Sequence, residues 1–336
     1  MRVTNIHAPG DLRVDDAPEL VCGDGDVIVE MKACGVCGTD LTYLHFGGLP
    51  IGAGPCPFPL GHEPAGEVAV VGRDVADVHV GQRVVFNPCA NESDMMGNGG
   101  SQGTLSERVL VRDARLGGNL FAIPDEVPYE IAALTEPLSV ALHAVNQGDP
   151  EPGQNAVVFG AGPVGVGIVA WLKLRGVTDV VAVDVSEARL RVATAVGADA
   201  AVPATADVVA ALTERHGTAD VLGAPMPATD LWFDAAGAPQ VFDQIMRSAR
   251  KHATVVIVAV HKEPVTFDLV NFLTRELRLT SSIAYPTEFN DVAAAMATHW
   301  EKFAPMVTDR VPFDDVAGAL ARAGSGAADG KVMVVF

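Results

Sequence analysis

One cysteine, one histidine and two glutamates stand in short turn-like segments of the first half of the chain. Cys37 lies in Gly35-Val36-Cys37-Gly38-Thr39-Asp40, His62 and Glu63 in Gly61-His62-Glu63-Pro64, and Glu136 in Thr135-Glu136-Pro137-Leu138-Ser139. A thiolate, an imidazole and carboxylates are the ligand types that a catalytic zinc takes while one coordination position stays open. Each residue alone also has an ordinary reading: Cys37 as a buried apolar thiol, His62 as a hydrogen-bonded loop histidine, Glu136 as an acid favoured at a helix N-terminus. Cys34 and Cys37 form a Cys-X-X-Cys pair, but the sequence holds no second pair. That excludes a four-cysteine zinc site, and a thioredoxin-like role lacks its βαβ setting.

A second chemical signal is Gly160-Ala161-Gly162-Pro163-Val164-Gly165, which follows the apolar stretch Ala156 to Phe159 and opens an apolar segment running to about Leu174. Between a strand and a helix, such glycines permit a tight turn and close approach of the backbone to a pyrophosphate, and the helix N-terminus offers N–H groups to the phosphates. Asp184, nineteen residues beyond Gly165, ends the next apolar stretch, where an adenosine ribose needs an acceptor for its hydroxyls. An acid there repels a 2'-phosphate, and Val185 and Ser186 rather than an arginine follow it. NAD is therefore expected over NADP. Arg189 on the following helix either packs against the adenine or is a solvated helix residue.

These residues need elements to hold them. From Val27 to Phe86 short apolar runs alternate with Gly, Pro and Asp clusters, the pattern of a small antiparallel β-domain or barrel. Beyond about Asn146, strands are expected at Ala156–Phe159, Val180–Asp184, Ala200–Val202, Leu231–Phe233, Thr254–Val260 and Leu277–Ile283, mostly separated by helix-length segments. Such alternation argues for a doubly wound parallel sheet, the dinucleotide-binding architecture. Ser186 is placed to cap a helix that Gly197 ends. Gly223–Ala228 and Gly324–Gly330 read as loops, and the tail from Thr287 reads as helix, strand, helix, strand, its last strand rejoining the first domain. The expected division is 1–146 with 287–336, and 147–286.

The 336 residues are 49% hydrophobic and 19% charged, enough apolar material for two packed domains. A formal charge of −19 opposes the counterion-release attraction of nucleic-acid binders, so nucleic acids and anionic membranes are excluded as expected partners. The uncharged run Ala156–Leu172 carries four glycines and a proline and is shorter than the ~20 residues of a membrane span. Charges in the first twenty residues argue against a signal peptide, and five scattered cysteines suit a reducing compartment; the cytoplasm is expected.

Gly35–Asp40, Gly61–Glu67, Thr135–Ala144, the glycine turn and the region around Arg275–Tyr285 together resemble the zinc-dependent medium-chain alcohol dehydrogenases, especially the sorbitol, threonine and 2,3-butanediol dehydrogenase branch. The resemblance covers nearly the whole chain. It implies a GroES-like catalytic domain beside a Rossmann domain, one catalytic zinc and NAD. By the same resemblance Cys37 and His62 hold the zinc, Glu63 is a direct ligand or alternates with water, and Glu136 stands close to the metal or its water. Thr39 matches the family's hydroxyl that accepts the alcohol proton. Two departures stand out. Asn87–Arg108 contains only Cys89, so the structural zinc of many relatives is expected to be absent, and Thr42 replaces a relay histidine, with His45 three residues further on.

The expected activity is interconversion of a secondary alcohol, vicinal diol or polyol with its ketone. An L-threonine 3-dehydrogenase-like activity and a zinc-free quinone or enone reductase on the same scaffold are the alternatives. Tyr43, His45 and Phe46 are candidates to face the substrate, and His143 is either a support for the site or a satisfied core histidine. The resemblance implies a homodimer or homotetramer.

Overall fold

The computed structural model describes residues 1–52 and 54–336. The chain divides into two compact units, Met1–Glu136 with Phe289–Phe336, and Pro137–Glu288. The partings thus fall at Glu136 and Glu288, against expected boundaries at 146 and 286. The helix Thr135–Gly148 runs through the first of them, which is why the change of sequence texture near Asn146 lies beyond it.

The centre of the first unit is the strand Val27–Gly35. Seven of its nine residues are buried, as a strand covered on both faces requires. It pairs antiparallel with Glu63–Val71 on one side and with the C-terminal strand Lys331–Val335 on the other. Gly35 is the residue opposite both Glu63 and Met333, so three distant segments meet at the end of one strand. Arg83–Phe86 and Leu120–Ala122 extend the sheet beyond Glu63–Val71, and Val307–Pro312 pairs in parallel with Lys331–Val335. Val27, Val29, Met31, Val68, Val84 and Phe86 pack one part of its core, and Cys34, Val36, Phe58, Leu60, Leu105 and Val334 pack another.

The second unit is built on six parallel strands in the order Ala200–Pro203, Asp179–Asp184, Asn155–Phe159, Leu231–Asp234, Thr254–Ile257, Arg278–Ser281. Chain order reverses between the third and fourth of these, the place where such sheets bind ligands at the strands' carboxyl ends. The run Ala156–Leu172 is accordingly strand, turn and the helix Pro163–Leu174, and no described helix is long and apolar enough to cross a membrane. Ser186 caps Glu187–Ala195, its hydroxyl accepting from Arg189 N.

Further expectations differ from the structure, and the sixth strand covers Arg278–Ser281 instead of Leu277–Ile283. The fifth strand stops at Ile257 instead of Val260, and Val260 is exposed, because the ladder to the sixth strand ends at Ser281. Gly223–Ala228 is not a plain loop: Ala224–Pro227 pairs with Thr218–Val221 as a hairpin. Leu222 and Gly223 both have positive φ (53° and 82°), the conformation of a two-residue hairpin turn. Pro225 and Pro227 hid this strand, since a two-stranded ribbon tolerates residues that a central strand excludes.

Two buried polar devices close the lower layers of this unit. Arg275 is 7% exposed, and its Nη1 donates to the carbonyls of Met246, Arg247 and Ala249 at 3.2, 2.8 and 3.1 Å, satisfying the C-terminus of helix Pro239–Ser248. Arg275→Met leaves these carbonyls unpaired and is expected to cost about 2–3 kcal/mol, read as a lower urea midpoint. His216 bonds Thr229 Oγ1 at 2.7 Å and Asp179 Oδ1 at 3.2 Å. Burial lowers the pKa of His216 below 6.5. Burial would raise that of Asp179, but Arg215 and His216 outweigh it and hold it below 3.8. Both depressed values favour the deprotonated forms in the folded state, so this stability is present above pH 6.5 and is lost as pH falls, first through His216 and then, below pH 3.8, through Asp179. His216→Gln is expected to flatten the first fall in melting temperature and to shrink the second, which Arg215 still sustains.

Candidate functional site

Helix Gly38–Phe46 begins on Cys37, whose backbone is extended (φ −98°, ψ 154°) and whose Sγ accepts from Thr39 N at 3.5 Å. Asp40 completes a reciprocal cap, Oδ2 accepting from Cys37 N at 2.8 Å. The sulfur thus faces the N–H groups that open the helix. The other oxygen of the fully buried Asp40, Oδ1, lies 3.4 Å from Nδ1 of His62, and neither atom has a hydrogen-bond partner. Asp40 therefore faces one ring nitrogen and leaves Nε2 as the donor to a metal, the usual division of labour in a ligating histidine. Burial alone would lower the pKa of His62, but Asp40 and Cys37 outweigh it and raise it well above the ordinary value. A proton and a metal ion compete for this ring.

Glu63 opens the strand that pairs with Gly35, and its carboxylate has no exposed surface. Oε1 accepts from Lys331 Nζ at 2.5 Å, whereas Oε2 is buried without a hydrogen-bond partner. The Cys37 sulfur, a ring nitrogen of His62 and a carboxylate oxygen of Glu63 all lie within 4.8 Å of one another. An unpartnered buried oxygen of this kind costs about 1–3 kcal/mol or more. A borderline-soft divalent cation is the partner that thiolate, imidazole and carboxylate together suit, so the residues fit zinc.

The structure brings Cys37, His62 and Glu63 together and leaves Glu136 outside this triad. Glu136 is buried in the first turn of Thr135–Gly148, and its charge reaches Lys331. Thr39 is half-buried in the first helical turn after Cys37. Thr42 spends its hydroxyl on Gly38 O at 3.1 Å, and His45 packs edge-on against Phe46. Tyr43 packs on Phe58 and donates to Asn98 Oδ1 at 3.1 Å. His143 is satisfied within the second unit: Nδ1 lies 2.8 Å from Glu288 Oε1, and Gln147 Nε2 meets its Nε2 at 3.5 Å. Among the described residues no second cluster of three metal-ligating groups is present. The segment around Cys89 is held instead by Asn87, Asn91, Asp94 and Asn98 side chains.

In the second unit the strand Asn155–Phe159 turns at Gly160 (φ +94°), where a Cβ would lie 2.8 Å from the Ala235 carbonyl. A Cβ at Gly165 would lie 1.8 Å from Gly160 O, so only glycine fits there. Gly162, the N-cap of Pro163–Leu174, meets nothing within 4 Å at its Cβ position and has no side-chain cap. That open face, with Pro163 starting the helix and Val164 half-buried beside it, is the arrangement that admits a phosphate group. Asp184 is buried and ties the turn to its strand: Oδ2 accepts from Ala161 N at 2.6 Å and Oδ1 from Ser186 N at 2.8 Å. Each of its oxygens retains a second lone pair. Arg189 is half-buried in the first turn of the next helix.

Sequence reasoning passed over Asp40 and Lys331. Asp40 carried a signal, an acid three residues after a helix-capping position. Lys331 carried none, since 268 residues separate it from Glu63. A test of the geometry is Gly35→Ala. Its Cβ would lie 1.8 Å from Glu63 Oε2 and 2.9 Å from Cδ, while residue 35 does not need a left-handed backbone. The substitution is expected to displace the carboxylate and weaken zinc binding by about tenfold or more, with far-UV circular dichroism unchanged. Competition with a chelator of known affinity measures it.

Known proteins share this layout. The model of the alcohol dehydrogenase GroES-like domain matches residues 23–125, and that of the zinc-binding dehydrogenase matches residues 163–299. (R,R)-butanediol dehydrogenase of Bacillus subtilis (strain 168) is 32% identical over 338 residues, covering 94% of each chain. Sorbitol dehydrogenase of Rattus norvegicus is 28% identical over 333 residues, covering 96% of this chain and 92% of its own. A Sinorhizobium meliloti 1021 protein described as a zinc-binding dehydrogenase and solved with NADP bound superposes with a TM-score of 0.86 at 27% identity, covering 100% of this chain and 99% of that one. A GroES-like sheet that gathers a Cys-His-Glu triad, followed in the same chain by a doubly wound sheet with a glycine turn, therefore has a family, and this chain belongs to the zinc-dependent medium-chain alcohol dehydrogenases.

Proposed function

We propose that the protein interconverts a secondary alcohol, with a vicinal diol or polyol as the favoured class, and its ketone, using NAD and one zinc ion per chain. The observation that carries this reading is the convergence of Cys37, His62 and the buried carboxylate of Glu63 within 4.8 Å, with one Glu63 oxygen unpartnered. The diol and polyol classes are supported by the similarity to butanediol and sorbitol dehydrogenases. When bound, zinc supplies Lewis acidity toward the substrate oxygen and NAD accepts the hydride.

The chain's own residues have distinct tasks in this reading. Cys37 offers a sulfur fixed in place by the helix cap, and His62 offers Nε2 with its ring oriented by Asp40. Glu63 offers Oε2, and Glu136 adds negative charge nearby without joining the triad. Thr39 accepts the hydroxyl proton of the substrate and passes its own toward the nicotinamide ribose, a role its place two residues after Cys37 supports. Gly160, Gly162, Pro163, Val164 and Gly165 receive the pyrophosphate at the N-terminus of Pro163–Leu174. Asp184 accepts from the adenosine ribose with its remaining lone pairs and repels a 2'-phosphate, and Arg189 borders the adenine.

Association of copies is supported by the second unit's edge strand Arg278–Ser281, which has no strand on its outer side among the described residues, and by exposed Leu269, Val270, Leu273 and Ile283 around it. A homodimer or homotetramer is the proposed form, and light scattering measures its mass. The cytoplasm is the proposed compartment, in keeping with five free cysteines.

The deciding experiment follows NADH absorbance with zinc-loaded protein, NAD and a panel of secondary alcohols, vicinal diols, polyols and L-threonine. Chelation is expected to abolish turnover while leaving far-UV circular dichroism nearly unchanged, and Cys37→Ser is expected to do the same. Full activity without metal would favour the quinone or enone reductase reading. NAD is expected to exceed NADP in kcat/KM, and Asp184→Ala to erode that preference by about tenfold, the scale of one or two lost hydrogen bonds. A preference for NADP in the unaltered protein would overturn the assignment of Asp184.

A further inference from the structure

Lys331 is among the most deeply buried charges in the molecule, at 2% exposure. Its ammonium donates to two acceptors, Glu63 Oε1 at 2.5 Å and the backbone oxygen of Val36 at 3.2 Å. Val36 immediately precedes Cys37, so one side chain ties the carboxylate of the triad to the backbone that delivers its thiolate. The register explains how it gets there: Gly35 pairs with Glu63 on one side and Met333 on the other, and Lys331 starts the strand that carries Met333. Gly35 also supplies room, since any Cβ there would collide with Glu63 Oε2.

A buried ion pair is a weak device for stability, because well-packed apolar residues often replace one without loss. This pair is asymmetric in a way that stability does not require. One carboxylate oxygen is engaged by the lysine and the other is left buried and unpartnered, in a side chain that forms a triad with Cys37 and His62. A fixed cation thus shares its carboxylate with whatever cation the triad binds. Two cations in one buried site compete for the same anion, and the lysine cannot leave.

We propose that Lys331 is a positioning residue that holds Glu63 by one oxygen and so restricts it to a one-oxygen, exchangeable ligand of the metal held by Cys37 and His62. This rests on the zinc-site reading above. Without Lys331, Glu63 is free to turn both oxygens onto the metal, and the repulsion between ammonium and metal disappears. The metal is then held more tightly, with fewer positions left for exchange. An ordinary packing role for Lys331 has the opposite sign, because damage to the strand end loosens the ligands.

The test uses full-length protein loaded with Zn²⁺, with release followed into excess chromogenic chelator, and the same proteins loaded with Co²⁺ for visible spectra. Lys331→Met is expected to slow zinc release by about tenfold, the scale on which partners of metal ligands tune affinity. It is also expected to lower kcat and weaken the Co²⁺ visible bands as coordination number rises. In a Glu63→Gln background the same change is expected to leave release within about twofold, because the shared carboxylate is gone. Lys331→Gln, closer to the native side chain in polarity, is expected to give the same sign and serves if Lys331→Met does not accumulate as folded protein. Release as fast as or faster than in the unaltered protein, or an equal effect with Gln at 63, overturns the positioning role while leaving the zinc site intact. Unaltered protein that binds no zinc overturns the site reading itself, and this inference with it.

Discussion

A carboxylate with no exposed surface needs a cation, and the first unit is organised around meeting that need for Glu63. Lys331 satisfies one oxygen and the other stays buried without a partner, in the same side chain that completes the triad with Cys37 and His62. To deliver Lys331, the chain must return after the whole second unit and add the strand Lys331–Val335 to a sheet begun near residue 27. The partner of Glu63 thus lies 268 residues away, in the segment with which the chain returns to the first unit.

The same economy of groups appears at Cys37. Its sulfur caps a helix and its backbone N–H is held by Asp40, which also faces His62. Two ligands are therefore oriented by one buried aspartate inside a single helical turn. Rotating Asp40 disturbs the helix start and the imidazole together. The cap supplies rigidity at the place where a ligand must stay within a few tenths of an ångström.

In the second unit the corresponding constraint is close packing of backbone. Gly160 and Gly165 exist because the turn touches Ala235 and itself at distances no side chain survives, whereas Gly162 faces open space. Asp184 links that turn to the neighbouring strand through two backbone N–H groups. The acid that suits a ribose is therefore first a structural clamp on the phosphate-binding turn, and the two roles draw on different lone pairs of the same carboxylate.

What the sequence alone determined is local or periodic. The strand–glycine–helix–strand–acid order, the capping of Glu187–Ala195 by Ser186, the alternation that makes a parallel sheet, and the ligand types of Cys37, His62 and Glu63 are written in residues close together or in repeating pattern. The hairpin at Thr218–Pro227 was hidden because prolines mark loops in most settings, and the unit boundaries were displaced because a single helix crosses one of them. What only the tertiary structure decided is long-range register. Gly35 opposite both Glu63 and Met333 fixes that Lys331 reaches Glu63, that Oε2 stays unpartnered, and that Glu136 stands outside the triad. Strand register depends on packing of two faces and on the closing of loops hundreds of residues long. A chain of letters records which groups can pair, and the folded sheet decides which of them meet.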